Sequence, residues 1–340
     1  MEKNISLKKL PFKKISFHKA IFEDSTKLNA IDLDAIVEKL PFKRCSKESS
    51  YSKGFIPFYE NSNAKESFIY SLNDWYFFQI MTEEKKVSAS EINFELSLEK
   101  ERVLKEENRI MEKVEINEFK ENIYLEKLKT APSSFYKYSF GINKNGNVII
   151  NTTSSKKVDK IVDFICNVFS DYITKFIINT NKNIMEMSTK LIKRMNCNIP
   201  EEYSDITFGK KGEISSNGKK LTFDNISTIN ENIINISKNY DVDAVKMEYY
   251  IEWNGIPIAF YFSKSGIESI EFTDELNEFM ETQLNNSEDD FEIFNICLRE
   301  FSNFIIDCEK KIVGLACKVV GDVDKSKIFE TEIKSTEEYV

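Results

Sequence analysis

The sequence predicts an α+β fold of mixed, hairpin-rich sheets with packed helices. Three observations carry that expectation. Short aromatic and aliphatic runs are joined by tight turn signals, as at Asn143–Gly146 (NKNG) and Asn254-Gly255. Helical periods are scattered among these runs instead of alternating with them one for one. The chain has 340 residues, 41% hydrophobic and 30% charged, which suits a globular protein with room for two domains.

The elements follow in order. Residues 10–22, LPFKKISFHKAIF, alternate as a strand does, and 31–40, IDLDAIVEKL, space their apolar residues as a helix. ESFIYSL (66–72) and DWYFFQIM (74–81) are aromatic-rich strands around Asn73-Asp74. Residues 88–129 are the most highly charged stretch. Ser88 or Ser90 can cap it, Glu101 and Lys105 stand at i,i+4, a break falls within 108–114, and Ile116, Phe119 and Ile123 mark one face of a second helix. So few apolar positions on the first helix predict a projecting charged helical hairpin, for which a merely solvated pair of helices is the plain alternative. A strand hairpin (134–153), an amphipathic helix (156–173) and a helix around 187–195 come next. Two short strands (206–214, 217–223), a helix at 230–240, three strands (244–253, 256–262, 267–272) and a long helix (289–311) complete the series. We group them as an N-terminal half, 1–180, which includes the hairpin, a C-terminal half, 181–320, and a polar tail, 321–340, expected to be poorly ordered.

Much chemistry is excluded by composition. The single histidine, His18, lies in an alternating stretch where a solvent-facing or hydrogen-bonded role is expected, and paired-histidine zinc sites are impossible. The six cysteines form no CxxC and read as reduced core residues. There is no Walker loop, GxGxxG or HExxH. One nuclease-like pattern exists, Asp322 or Asp324 followed by Glu332-Ile333-Lys334, which could hold Mg²⁺. It arises easily by chance in so charged a chain, and it falls in the tail, where no strand is expected to fix it. We therefore expect no catalytic residues, no metal and no cofactor. No apolar run is long enough for a membrane helix and no secretion signal opens the chain, so the expected location is cytoplasmic.

The formal net charge is −9, but the acidity is local. Residues 268–300 hold eleven acids against one base, Arg299. The remainder is near neutral and carries basic clusters, including Lys43-Arg44, Lys85-Lys86, Lys210-Lys211 and Lys219-Lys220. A polyanion responds to local potential, not to the total. Lysine pairs also decorate ordinary surfaces, and composition alone favours that plain reading. The stretch 40–58, LPFKRCSKESSYSKGFIPF, raises the polyanion question most sharply, with Lys43, Arg44, Lys47 and Lys53 inside an apolar frame.

Taken in order, the motifs resemble the recombination-associated protein RdgC family of bacteria. Phe42, Cys45 and Gly54-Phe55-Ile56-Pro57 match its early signature. The charged stretch opening with EEKK, then SFYKYSFGINKNGNVIIN and SSKKVDKIVDF, resembles its middle. Lys219-Lys220 falls at a family Lys pair, and YYIEW with GIESIEFTDEL resembles the late strands. The resemblance implies a ring-forming homodimer that encloses double-stranded DNA without sequence preference, antagonises RecA, associates with the nucleoid and is not an enzyme. The channel residues expected from it are Lys85, Lys86, Lys219 and Lys220, then Lys210 and Lys211, then Lys43, Arg44 and Lys53. Phe42, Cys45, Phe55 and Pro57 are expected to fix the 40–58 loop to the core. The alternatives are a protein-interaction module that uses the acidic 268–300 segment and binds no DNA, or a metal-dependent nuclease.

Overall fold

In a computed structural model of the chain, the described residues are 12, 14–23, 30–58, 67–72, 74–178, 182–192, 200–216, 219–223, 242–263, 266–270, 275, 278, 279, 282, 290–320 and 332–335. They form a mixed α+β structure with two antiparallel sheets and several helices. The helix expected at 230–240 lies outside them.

The first sheet has eight strands. These are β1 (Ser16–Phe22), β2 (Tyr51–Ile56), β3 (Ile69–Leu72), β4 (Trp75–Lys85), β5 (Ser133–Asn143), β6 (Asn147–Ile150), β7 (Ile173–Ile178) and β13 (Glu332–Ser335). Their order is β13-β7-β1-β6-β5-β4-β2, and β3 shares an edge of β4 with β2. β4 explains its own sequence. Trp75 and Phe77 face one core while Tyr76, Phe78 and Ile80 face the other, so a strand covered on both sides loses its polar alternation. One of those cores is closed by α4 (Ser155–Val168), which buries Val158, Ile161, Val162, Ile165 and Cys166 at helical spacing. Helix α1 (Ala30–Val37) adds Leu33 and Val37.

The second sheet runs β12-β11-β10-β8-β9, from β8 (Ile206–Ser216), β9 (Lys219–Phe223), β10 (Val242–Trp253), β11 (Ile256–Ser263) and β12 (Gly266–Ile270). Asn254 and Gly255 close the β10–β11 hairpin with φ of 51° and 78°, the two positive values that an Asn-Gly turn supplies most readily. One face packs on α5 (Lys182–Ile192) and α6 (Asp290–Val320). Met247, Tyr249, Ile251 and Trp253 meet Leu298, Phe301, Phe304 and Ile305 there. Phe12, Phe17, Trp75 and Phe77 join this same core, so the two sheets share it.

Between β4 and β5 stand α2 (Ala89–Glu106) and α3 (Lys113–Leu128). Arg102 reaches Glu99 and Glu106, Arg109 reaches Glu115, and Lys127 ties α3 to Glu95 of α2. Glu112 and Glu115 form a reciprocal cap at the start of α3.

Of the two roles expected for His18, the structure shows the hydrogen-bonded one: it is 3% exposed, with its Nε2 2.8 Å from Ser16 Oγ, because β1 is flanked on both edges and covered on both faces. Two features depart from expectation. The stretch 40–58 contains a strand, β2. Glu332 and Lys334, expected to lack a strand to fix them, lie in β13, which pairs with β7 from Glu332↔Ile178 to Ser335↔Lys175. The remainder of the 321–340 tail lies outside the described residues.

Candidate nucleic-acid interface

Five of the nine basic residues singled out from sequence lie near one corner of the first sheet, Lys43, Arg44, Lys85 and Lys86 together with Lys53, which turns to the opposite face. The corner is built by a close approach of chains. Phe42 donates its N–H to Phe55 O at 2.7 Å, and Phe55 N–H returns to Leu40 O at 2.9 Å. Only glycine fits opposite, since a Cβ on Gly54 would stand 2.5 Å from the Phe42 backbone. Phe55 is buried against Phe78 and Phe164, so the apolar frame of the stretch is structural.

The anchor of the corner is Glu83, 1% exposed. Its Oε2 accepts from the Cys45 N–H at 2.7 Å and from Arg44 Nε at 3.2 Å, and its Oε1 accepts from Ser133 Oγ at 2.5 Å. Burial raises the Glu83 carboxyl pKa, but the hydrogen bonds from Ser133, Cys45 and Arg44 outweigh it and hold the group below the usual carboxylate range. Burial, followed by the Glu83 charge, pushes the Cys45 thiol up, so this cysteine stays a thiol. Arg44 Cζ stands over Phe135, 4.5 Å from the ring centre, while most of its side chain remains in solvent. Lys85 Nζ donates to Ser46 O at 2.7 Å, and Lys43 and Lys86 are exposed. Lys53 points to the opposite face, toward α4, and donates to Lys160 O at 3.0 Å.

The other four candidates lie on the second sheet. Lys210 and Lys211 sit where the β8–β10 register shifts between Met247 and Tyr249. Another buried carboxylate fills that irregularity. Glu248, 1% exposed, accepts from the Lys211 N–H at 3.1 Å and from Tyr261 Oη at 3.1 Å. A Cβ on Gly209 would come within 2.3 Å of it. Lys219 and Lys220 begin β9, opposite Ser216 and Ser215. Lys220 lies 2.7 Å from Glu213, whose hydrogen bond and charge raise the ammonium pKa and offset its field.

A buried glutamate thus stands beside Arg44, where Glu83 accepts the Cys45 N–H, and beside Lys211, whose N–H Glu248 accepts, and neither glutamate was singled out from sequence. Period two gave no clear signal, since Gln79 and Met81, which share the register of Phe77 and Glu83, are only half-buried. Lys157 and Lys160 of α4 also approach the first corner and were not singled out as site residues.

Part of the acidic 268–300 segment, including 271–274 and 283–289, lies outside the described residues. Within it, Glu268 lies 3.7 Å from Lys246, and Glu300 pairs with Arg299 at 3.0 Å. Among the described residues, no three His, Cys, Asp or Glu side chains gather as a metal site, and no helix is long and apolar enough to cross a membrane.

A model of the family described as "Putative exonuclease, RdgC" matches residues 10–314. No curated protein matches the chain.

Proposed function

The chain belongs to the RdgC family, and from that premise we propose that it is a sequence-independent double-stranded DNA-binding protein that acts as a ring-shaped homodimer. On this reading its lysines face the opening, it associates with the nucleoid, and it restrains RecA-driven recombination by occupying the duplex. The observation that carries the reading is the family match over residues 10–314. The cluster of Lys43, Arg44, Lys85 and Lys86 near one corner of the first sheet supports it, because a local concentration of positive charge attracts phosphates whatever the net charge of the chain. Phosphate binding gives affinity without base readout, and released counterions make that affinity fall steeply with salt.

The test is fluorescence anisotropy on two unrelated duplexes across a series of salt concentrations. Equal affinities and a steep log–log salt slope are expected. Lys85→Ala with Lys86→Ala should lower affinity on both duplexes alike and reduce the slope by about 1 for each phosphate that is no longer neutralised. The same change at Lys219 and Lys220 should do less, because Glu213 already offsets Lys220. Salt-insensitive binding, or none, would favour the protein-interaction alternative through the acidic segment.

The family description supplies a second reading, an exonuclease. Its candidate pattern is Glu332 and Lys334 on β13 with Asp322 or Asp324. Linear duplex incubated with Mg²⁺ separates the two. We expect the DNA to remain full length, and shortening from the ends would establish the enzyme.

A further inference from the structure

Two Asn-Gly turns stand in opposite settings. Asn145-Gly146 joins β5 to β6, and Asn254-Gly255 joins β10 to β11, while Asn217-Gly218 lies outside the described residues. In the first turn the glycine is buried and held. Its N–H donates to Asn143 O at 2.9 Å, its carbonyl accepts from the Ala20 N–H at 2.7 Å, and Lys19 Nζ donates to the Asn145 carbonyl at 2.6 Å. A Cβ on Gly146 would stand 2.1 Å from Ala20 O, so the Ala20 carbonyl closes the space beside it. In the second turn both residues are exposed, and no hydrogen bond from the Gly255 N–H is found among the described residues. A Cβ on Gly255 would meet nothing within 4 Å.

We propose that Asn254 is a site of spontaneous modification, where the chain converts its own asparagine to aspartate and isoaspartate with water as the co-reactant. Glycine, which has no Cβ, offers the least hindered backbone nitrogen to the side-chain amide before it. The turn holds Asn254 at φ 51° and Gly255 at φ 78°, so the peptide between them must swing before its nitrogen can reach the side chain. At 254–255 that swing meets open space. At 145–146 it breaks the bonds to Asn143 and Ala20. Solvent at the Gly255 N–H also receives the proton that must leave before the nitrogen can attack.

The chemistry balances with water alone. The Gly255 nitrogen gives its proton to solvent and attacks Cγ of Asn254. An N–C bond forms, the Cγ–Nδ2 bond breaks, and the amide group takes a proton from solvent and leaves as ammonia. Water then adds to either carbonyl of the five-membered imide, and the ring opens. One opening gives aspartate, and the other gives isoaspartate, whose backbone runs through the former side chain. Either product adds one negative charge. The isoaspartyl form also lengthens by one carbon a two-residue loop whose strand geometry depends on its exact length. The change falls beside Trp253, which is buried against Phe279 and Phe304. The step stands whether or not the chain binds DNA.

The test incubates the full chain at pH 8, once folded and once in concentrated urea, and follows both turns by peptide-resolved mass spectrometry. Electron-transfer fragmentation separates isoaspartate from aspartate. Each folded rate is divided by the urea rate of the same site, which removes the effect of neighbouring sequence. The quotient should be at least about tenfold larger at Asn254 than at Asn145, because the Asn145 turn must give up two backbone hydrogen bonds before it can react. Isoaspartate should form at 254 in the folded chain. Three results would overturn the proposal: Asn254 intact in the folded chain while the urea sample reacts, equal quotients at the two turns, or aspartate at 254 without isoaspartate.

Discussion

Lowering the pH from 7.5 to 5 should cost this protein about 2 kcal/mol of folding stability through His18 alone. The ring is 3% exposed, and burial lowers its pKa from 6.5 to about 3. The sign follows from proton uptake. The folded pKa is depressed, so the unfolded chain binds the proton first, and the stability present above pH 6.5 is lost progressively as the pH falls toward 3. Each pH unit within that window is worth about 1.4 kcal/mol. Between 6.5 and 5 this gives about 2 kcal/mol, and little is lost between 7.5 and 6.5. The assay is urea denaturation at each pH on the native chain and on His18→Gln, which removes the titration. The difference in pH slope between the two isolates His18, because the chain has no other histidine. Proton NMR gives a direct reading, since the single C2–H resonance of the folded protein should not move between pH 7.5 and 5. Equal slopes for the two proteins, or a resonance that titrates near 6.5, would refute the argument.

Other outcomes follow from the same kind of reasoning. Glu83→Ala strands a buried amide and a hydroxyl, which should cost about 2–4 kcal/mol in urea denaturation and strip the Cys45 amide of its hydrogen-exchange protection. Gly54→Ala forces a Cβ into the Phe42 backbone and should cost at least about 2 kcal/mol by the same method. Glu248→Ala removes the acceptor of the Lys211 N–H, and should cost about 1–3 kcal/mol while raising hydrogen exchange along 209–212.

Legibility tracked how local the cause was. The Asn254-Gly255 hairpin, the α4 stripe and the charged pair α2–α3 were readable because turn chemistry and helical period act within a few residues. β2 was not, since Ser, Lys and Gly carry no strand signal, and its pairing with β4 and the Pro41 bridge decide it instead. β13 was missed for the same reason. Four residues of a charged tail become a strand only because β7 offers an open edge. Within the candidate site, the lysines were legible as charge, whereas the buried glutamates beside them were not. A buried Glu83 is distinguished from a surface one by donors from residues 44, 45 and 133, which only the fold brings together. Lys53 shows the converse, a residue expected to meet DNA whose ammonium instead turns toward α4.

The placement of β13 bears on the order in which the protein can be completed. During synthesis the first 192 residues can lay down seven strands of the larger sheet, yet the rim of β7 stays uncovered until residues 332–335 have emerged. Until then that rim can recruit a strand from a neighbouring nascent chain. Among the described strands, the one made last is thus a closing seal on one of the earliest formed. A chain cut after α6 would keep both cores while presenting an adhesive border.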